Sequence, residues 1–164
     1  MYYLGLDPST KCTGHCLMDE KHNLIDFGKI VLPSDATEAG KILYQCNIIE
    51  SILQKYDVSH ILIEDQFAGP NKDTYKKLTR TSGALLYLAE KYGIPYTLLQ
   101  PTSWRKVFHG SGKAKKTDTF DKVIALYGEE LGKLEFKHDN DLTDSVGIAW
   151  SCVDLNTVKA GAAA

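Results

Sequence analysis

The stretch Tyr2-Tyr3-Leu4-Gly5-Leu6-Asp7-Pro8-Ser9-Thr10 decides how the rest of the chain is arranged. Its mostly apolar run ends abruptly in an aspartate, and the proline that follows has no N–H with which to continue a central strand. A strand beginning at residue 2 has no earlier partner, so later strands collect around it and it takes a central place. Its last residue then leaves the carboxyl edge of the sheet, the side on which open α/β sheets bind ligands. A plainer role for Asp7 is to shape the turn through an Asx hydrogen bond. This stretch alone weighs the two roles equally.

The pattern recurs at Ser59-His60-Ile61-Leu62-Ile63-Glu64-Asp65, an apolar triplet of buried, parallel type that again ends on carboxylates. Between the two, residues 12–19 and 24–32 read as strands of an antiparallel meander joined by a turn at 20–23. Residues 36–56 read as a helix, because Ile42, Leu43, Cys46, Ile49, Ile52 and Leu53 recur at helical spacing, with Ser34 and Asp35 offering caps. That helix is the crossover a parallel strand needs. Farther on come a loop at 66–73, a helix over 74–92, a strand over 95–100 and a short helix opened by Pro101. A basic, glycine-containing loop at 109–116, a helix over 117–130, an acidic linker and a last helix over 141–155 complete the order. The elements predict a mixed α/β sheet with helices on both faces, in one domain over residues 1–157. Residues 158–164 form a low-complexity tail.

Composition sets limits on what the protein does. Of 164 residues, 43% are hydrophobic and 24% charged, as in ordinary globular domains. No apolar run approaches the roughly 18–20 residues of a membrane span, and no signal peptide precedes the first strand. Cysteines 12, 16, 46 and 152 lack CxxC spacing, and Cys12 and Cys16 share one face of a strand. Buried free thiols are favoured over zinc ligands or disulfides, which predicts a reducing, cytoplasmic setting. The net charge of −2 hides a segregation: residues 72–116 hold ten Lys/Arg against two acids, a balance of +8. Such a block fits a polyanionic partner meeting one face. For any single lysine a solvated helix face is explanation enough, but not for the block.

Asp141 and Asp144 lie three apart, on one face of a helix that continues through Ile148, Cys152 and Leu155. That stripe packs on the sheet, so two carboxylates sit at its sheet-facing top. Capping by Asp141 and a dipole preference for Asp144 explain their place along the helix but not their shared face. If the strands ending at Asp7 and Glu64 are parallel neighbours, their backbones lie about 4.8 Å apart and both carboxylates leave one edge. Converging carboxylates repel and need a cation. Oxygen-only ligands suit Mg²⁺ or Mn²⁺, and two such ions about 4 Å apart activate a water and stabilise a leaving oxygen. An acidic centre in a basic surround predicts metal-dependent cleavage of nucleic acid.

Four motifs in register carry a family resemblance over residues 2–152. They are Gly5-Leu6-Asp7-Pro8-Ser9 with Thr13-Gly14, Ile63-Glu64 with Phe67, Gly110-Ser111-Gly112 with Lys116, and Asp141-x-x-Asp144 with Gly147-Ile148-Ala149. In these the sequence resembles RuvC-type Holliday junction resolvases, bacterial or bacteriophage, of the ribonuclease H-like superfamily. The resemblance implies a ribonuclease H-like mixed five-stranded sheet and paired nicking of four-way and other branched DNA in recombination and repair. It implies that Asp7, Glu64, Asp141 and Asp144 are metal ligands and that Arg105 and Lys116 act at the scissile phosphate. It makes Phe67 an aromatic inserted at the branch point, against the alternative of a buried loop anchor. Ser9 departs from the family by standing where glycine is usual, and Asp65 adds an acid beside Glu64 that complicates ligand assignment. Trp104 reads as core rather than as a base-stacking platform.

The basic block nominates Lys72, Lys76, Lys77, Arg80, Arg105, Lys106, Lys113, Lys115 and Lys116 for contact with DNA. A homodimer is expected, because paired cuts need two acidic sites. On the helix over 74–92, the stripe Tyr75, Leu78, Leu85, Leu86 and Ala89 should cover the sheet, leaving Ala84, Tyr87 and Leu88 as an apolar back face for the dimer. The competing readings are a ribonuclease H-like nuclease acting on RNA or linear DNA, and a non-catalytic binder of branched DNA. A sugar-kinase-like ATPase, which needs two such domains, does not fit in 164 residues.

Overall fold

The computed structural model describes residues 1–162, with side chains through Thr157. The elements are β1 (Tyr2–Pro8), β2 (Cys12–Asp19), β3 (Leu24–Val31), α1 (Glu38–Lys55), β4 (Val58–Glu64), α2 (Lys72–Lys91), β5 (Tyr96–Leu99), α3 (Pro101–His109), α4 (Lys116–Leu131) and α5 (Phe136–Ala162). The five strands run in the order β3-β2-β1-β4-β5, with β1 central. β2 is antiparallel to β1 and β3, whereas β1, β4 and β5 are parallel. The β1–β4 ladder ends at Leu6 opposite Ile63, so Pro8 lacks an N–H only beyond the parallel pairing.

Strand alternation divides the core in two. Leu4 and Leu6 of β1 point into a cluster with Ile49 and Ile52 of α1 and Leu85 and Leu88 of α2. Tyr3, one residue out of phase, belongs to a second cluster with Leu62, Trp104, Ile148 and Cys152. α5 lies against that face of the sheet, and α3 and α4 pack on α5. Two glycines permit the close approach. A Cβ at Gly5 would fall 2.4 Å from the Ala149 backbone N, and one at Gly14 would fall 2.0 Å from the Asp141 carbonyl oxygen. Helix and sheet meet backbone to backbone at the level of the acidic residues.

Several expectations are corrected. Thr37, not Ser34 or Asp35, caps α1, its side chain accepting from Gly40 N–H at 3.0 Å. α5 starts at Phe136, so the acidic linker is already helix. There Asp139 Oδ2 accepts from Glu135 N–H at 2.8 Å, so Asp141 is not the cap. The tail enters the same helix, which runs to Ala162; its residues 163–164 lie outside those described. On α2 the faces are shifted. Leu88 is only 5% exposed and lies in the core, while Tyr75 is exposed, because the first half of α2 projects beyond the sheet. Leu88 therefore cannot form a dimer surface. Among the described residues no helix is long and apolar enough to cross a membrane.

Candidate active site

Asp7 and Glu64 follow directly on Leu6 and Ile63, the last paired residues of neighbouring parallel strands. Both are a step out of phase with the α1/α2 core and turn toward α5, and both are buried. Asp141 and Asp144 come down on the same edge from α5, held there by the close contact over Gly14. Asp65 takes the opposite phase and its Oδ1 accepts the Gln66 N–H at 2.9 Å, so it stands apart from the group. Ser9 leaves the turn intact: its hydroxyl donates to the Cys12 carbonyl and accepts from Cys12 N–H at 3.1 Å.

A lysine sits among the acids. Lys116, the first residue of α4 rather than a loop residue, places Nζ 3.0 Å from Asp144 Oδ2 and 3.8 Å from Asp141 Oδ1. It also donates to Asn140 Oδ1 at 3.3 Å. Asp118 fixes the start of this helix by accepting the Lys115 N–H at 2.7 Å. Arg105 reaches Asp144 Oδ2 with Nη2 at 3.6 Å and lies 4.9 Å from the centroid of the Trp104 ring. Trp104, fully buried, donates its indole N–H to Glu64 Oε2 at 2.7 Å. Neither Trp104 as a partner of Glu64 nor Asn140 as a partner of Lys116 was visible in the sequence. Each lies far along the chain from the group it holds, and neither belongs to a spaced motif.

Burial pushes the Asp7 carboxyl well above the usual carboxylate range, and the neighbouring Glu64 adds to it. Glu64 is raised by burial and partly relieved by the Trp104 hydrogen bond. Asp144 is raised by burial against the pull of Lys116. Burial also works against the Lys116 ammonium, yet Asp7 and Asp144 outweigh it and hold the proton far above its ordinary range. The cluster therefore carries unrelieved negative potential. Asp7 Oδ2 and Asp144 Oδ1 are buried without a hydrogen-bond partner, as expected of oxygens that ligate a cation. The donor set of four carboxylates fits a hard divalent ion. Among the described residues, however, no three Asp, Glu, His or Cys side chains close on one point as a finished metal cage. The ammonium of Lys116 stands between two of the acids and balances part of their charge.

The DNA-contact candidates divide between two regions. Lys106 on α3 and Lys113 and Lys115 in the loop before α4 are exposed near the Lys116 end of the cluster. Lys72, Lys76, Lys77 and Arg80 lie on the projecting half of α2, where Lys77 pairs with Asp73 at 2.8 Å and Arg80 with Glu38 at 2.8 Å. Phe67 is 73% exposed in the loop after β4, which removes the buried-anchor reading. Trp104 is core, as expected.

Comparison with known proteins agrees with this fold. The family model described as Crossover junction endodeoxyribonuclease RuvC matches residues 3–151. A crossover junction endodeoxyribonuclease RuvC of Heliobacterium modesticaldum is 24% identical over 155 residues, covering 93% of each chain. The structure of Thermus thermophilus RuvC superposes with a TM-score of 0.77 at 18% identity, covering 92% of each chain. T. thermophilus RuvC in complex with a Holliday junction substrate gives 0.74 at 18% identity, covering 92% of this chain and 91% of that one. These structures share the fold, including its five-stranded mixed sheet.

Proposed function

The chain belongs to the RuvC family of crossover junction endodeoxyribonucleases, and on that premise we propose that it is a metal-dependent endonuclease that resolves four-way DNA junctions by paired nicks. The observation that carries this reading is the gathering of Asp7, Glu64, Asp141 and Asp144 on one face at one sheet edge, with Lys116 among them. The binding of a Holliday junction by T. thermophilus RuvC supports four-way DNA as the substrate.

The four carboxylates are the groups that would hold Mg²⁺ or Mn²⁺, two ions per site. Such ions would supply an activated water and stabilise the leaving oxygen of a phosphodiester. The protein's own groups do the rest. Asp7, on the rigid end of the central strand, sets where the scissile phosphate sits. Trp104 fixes the rotamer of Glu64 and keeps one of its oxygens directed. Lys116 remains charged throughout the working pH range and meets the negative charge that grows on the phosphate. Arg105 is held between Asp144 and Trp104, with a buried Nε that has no protein partner, and is placed to meet a second phosphate oxygen. Lys106, Lys113 and Lys115 bind the arm entering from the α3/α4 side, and Lys72, Lys76, Lys77 and Arg80 meet the DNA beyond the end of α2. Phe67, exposed at the tip of its loop, enters the opening at the branch point.

Two-fold junctions ask for two sites, so the working form is a homodimer. Four free cysteines, two of them buried, suit a reducing cytoplasm. The test is a substrate panel with Mg²⁺: labelled four-way junction, linear duplex and RNA–DNA hybrid. Junction cleavage in excess of the others supports the reading. Cleavage of the hybrid or the duplex alone assigns a different nuclease, and junction binding without cleavage at any divalent ion overturns the catalytic claim.

A further inference from the structure

The carboxyl edge of the sheet has a second basic feature, on the face opposite the acids. The β1–β2 turn, the start of α1 and the projecting half of α2 enclose a cavity of about 410 Å³. Lys11, Lys41 and Lys77 line it, with Glu38 as the one carboxylate. Arg80 takes up the charge of Glu38 at 2.8 Å and Asp73 that of Lys77 at 2.8 Å. Lys11 and Lys41 have no carboxylate partner among the described residues, so the wall carries uncompensated positive charge. The cavity also has neutral donors. Gln45 is 1% exposed, and its Oε1 accepts the Thr13 hydroxyl at 2.8 Å, which leaves its amide N–H groups without a protein partner. Thr81 is 7% exposed and its hydroxyl makes no hydrogen bond in the protein.

A buried amide and a buried hydroxyl, both unmatched and both lining a hollow with two unpaired ammonium groups, make a donor-rich site. Both residues line the hollow, where their free donors are open to solvent, and a ligand that accepts from them takes the place of that solvent. The complementary ligand is an anion with several acceptor oxygens, which describes a phosphate group. Chain connectivity says where the phosphate comes from. The turn that carries Lys11 begins two residues after Asp7, so groove and acids share one edge and lie on its two faces. A duplex arm leaving the acidic centre across the β1–β2 turn meets the groove next.

We propose that the cavity between the β1–β2 turn, α1 and α2 is a phosphate-binding groove, formed by Lys11, Lys41, Gln45 and Thr81, that grips the backbone of a second arm of the DNA substrate. The proposal rests on the reading of the chain as a nuclease for branched DNA. Phosphate on a free nucleotide, or inorganic phosphate, has the same chemistry, so the experiment separates the sources.

The full chain, without divalent ions, is titrated with labelled four-way junction by fluorescence anisotropy over a range of salt. The variant Lys11→Gln/Lys41→Gln should weaken binding roughly tenfold and reduce the slope of log K against log[salt] by about 2, near 0.9 per phosphate contact. Thr81→Val, which preserves volume, should weaken binding with little change in slope. A wild-type slope and affinity in the double variant overturn the groove and leave the nuclease reading standing. If the wild type shows no preference for junctions and Lys113→Ala/Lys115→Ala leaves its slope unchanged, the underlying reading fails and the groove with it. In parallel, the Gln45 side-chain amide is followed by NMR during addition of inorganic phosphate or dAMP. Displacement only at millimolar levels agrees with a polymer-held phosphate. Saturation by micromolar dAMP or phosphate, lost in the double variant, overturns the DNA assignment in favour of a small-molecule site.

Discussion

Trp104 and Glu64 form a buried hydrogen bond, indole Nε1 to Oε2, at 2.7 Å. The residues lie on α3 and β4, and the bond ties the outer helical layer to a carboxylate at the sheet edge. Donation to a carboxylate stabilises its charged form, and the bond works against the burial that raises Glu64. Trp104→Phe keeps most of the ring volume and deletes the donor. The expected result is a loss of about 10–100-fold in metal affinity or single-turnover cleavage, the usual range for a group that orients a ligand. The Mg²⁺ titration should shift to higher concentration with junction binding unchanged. An unshifted titration would make the bond purely structural.

Asp7→Asn should abolish cleavage while junction binding survives, because it removes charge needed at the phosphate and relieves repulsion between acids and DNA. Its effect on stability has the opposite sign. Asp7 is raised by burial, then by Glu64, so the folded chain keeps a proton that the unfolded chain gives up above about pH 4. Stability of the metal-free protein is therefore lost as pH climbs from there through the folded pKa. Asparagine does not titrate. At pH 7 in a chelator, Asp7→Asn should raise Tm by at least about 2–4 °C, the shift that 1 kcal/mol gives in a domain of this size. The gain should fade below about pH 4. Thermal melts at both pH values check it, and a lower Tm at pH 7 contradicts the account.

Gly14 tests the scaffold rather than the chemistry. A methyl there would sit 2.0 Å from the Asp141 carbonyl oxygen, a backbone atom that no side-chain rotation can clear. Gly14→Ala must push the top of α5 off β2. Overpacking of this kind costs about 1–3 kcal/mol. Cleavage should fall at least tenfold with all four carboxylates still present. Comparison with Gly128→Ala, where the added methyl would meet only the Ile124 Cγ2 methyl of the same helix at 3.5 Å, controls for a general glycine effect. Equal losses in the two variants would remove the close-approach argument.

Local pattern made the frame legible. The carboxylates closing two apolar strands announced the parallel pair, and the i,i+3 aspartates announced a helix face. What the sequence could not express was distance between elements. Trp104 carries no local sign that it meets Glu64, forty residues away along the chain. The start of α5 escapes the pattern because Phe136–Asn140 has caps and charges but little apolar periodicity. Leu88 departs from the pattern for a related reason: i,i+3 and i,i+4 spacing fixes a stripe but not where the sheet stops supporting it. The first half of α2 overhangs the sheet, which shifted the true inward face onto Leu85, Leu88 and Ala89.

That shift changes how the dimer is tested. Leu88→Lys buries a charge in the core and unfolds the chain, so it says nothing about association. Tyr87 is the residue that qualifies: it lies on α2, is 66% exposed, and has half-buried Ala84 and Leu86 nearby on the helix. An aromatic ring left in water on an otherwise ordered helix is the type of group that anchors interfaces. Sedimentation equilibrium at micromolar concentration should show a dimer for the wild type. Tyr87→Lys should raise the dissociation constant at least tenfold while Tm of the isolated chain stays within about 2–4 °C, the equivalent of 1 kcal/mol. On a supercoiled plasmid bearing an extruded four-way junction, the wild type should make linear product through two cuts in one encounter. The variant should give nicked circles first and linear product only after a second binding event. A wild-type monomer that makes linear product in one encounter sinks the dimer reading, and a Tyr87→Lys dimer of unchanged affinity moves the interface away from α2.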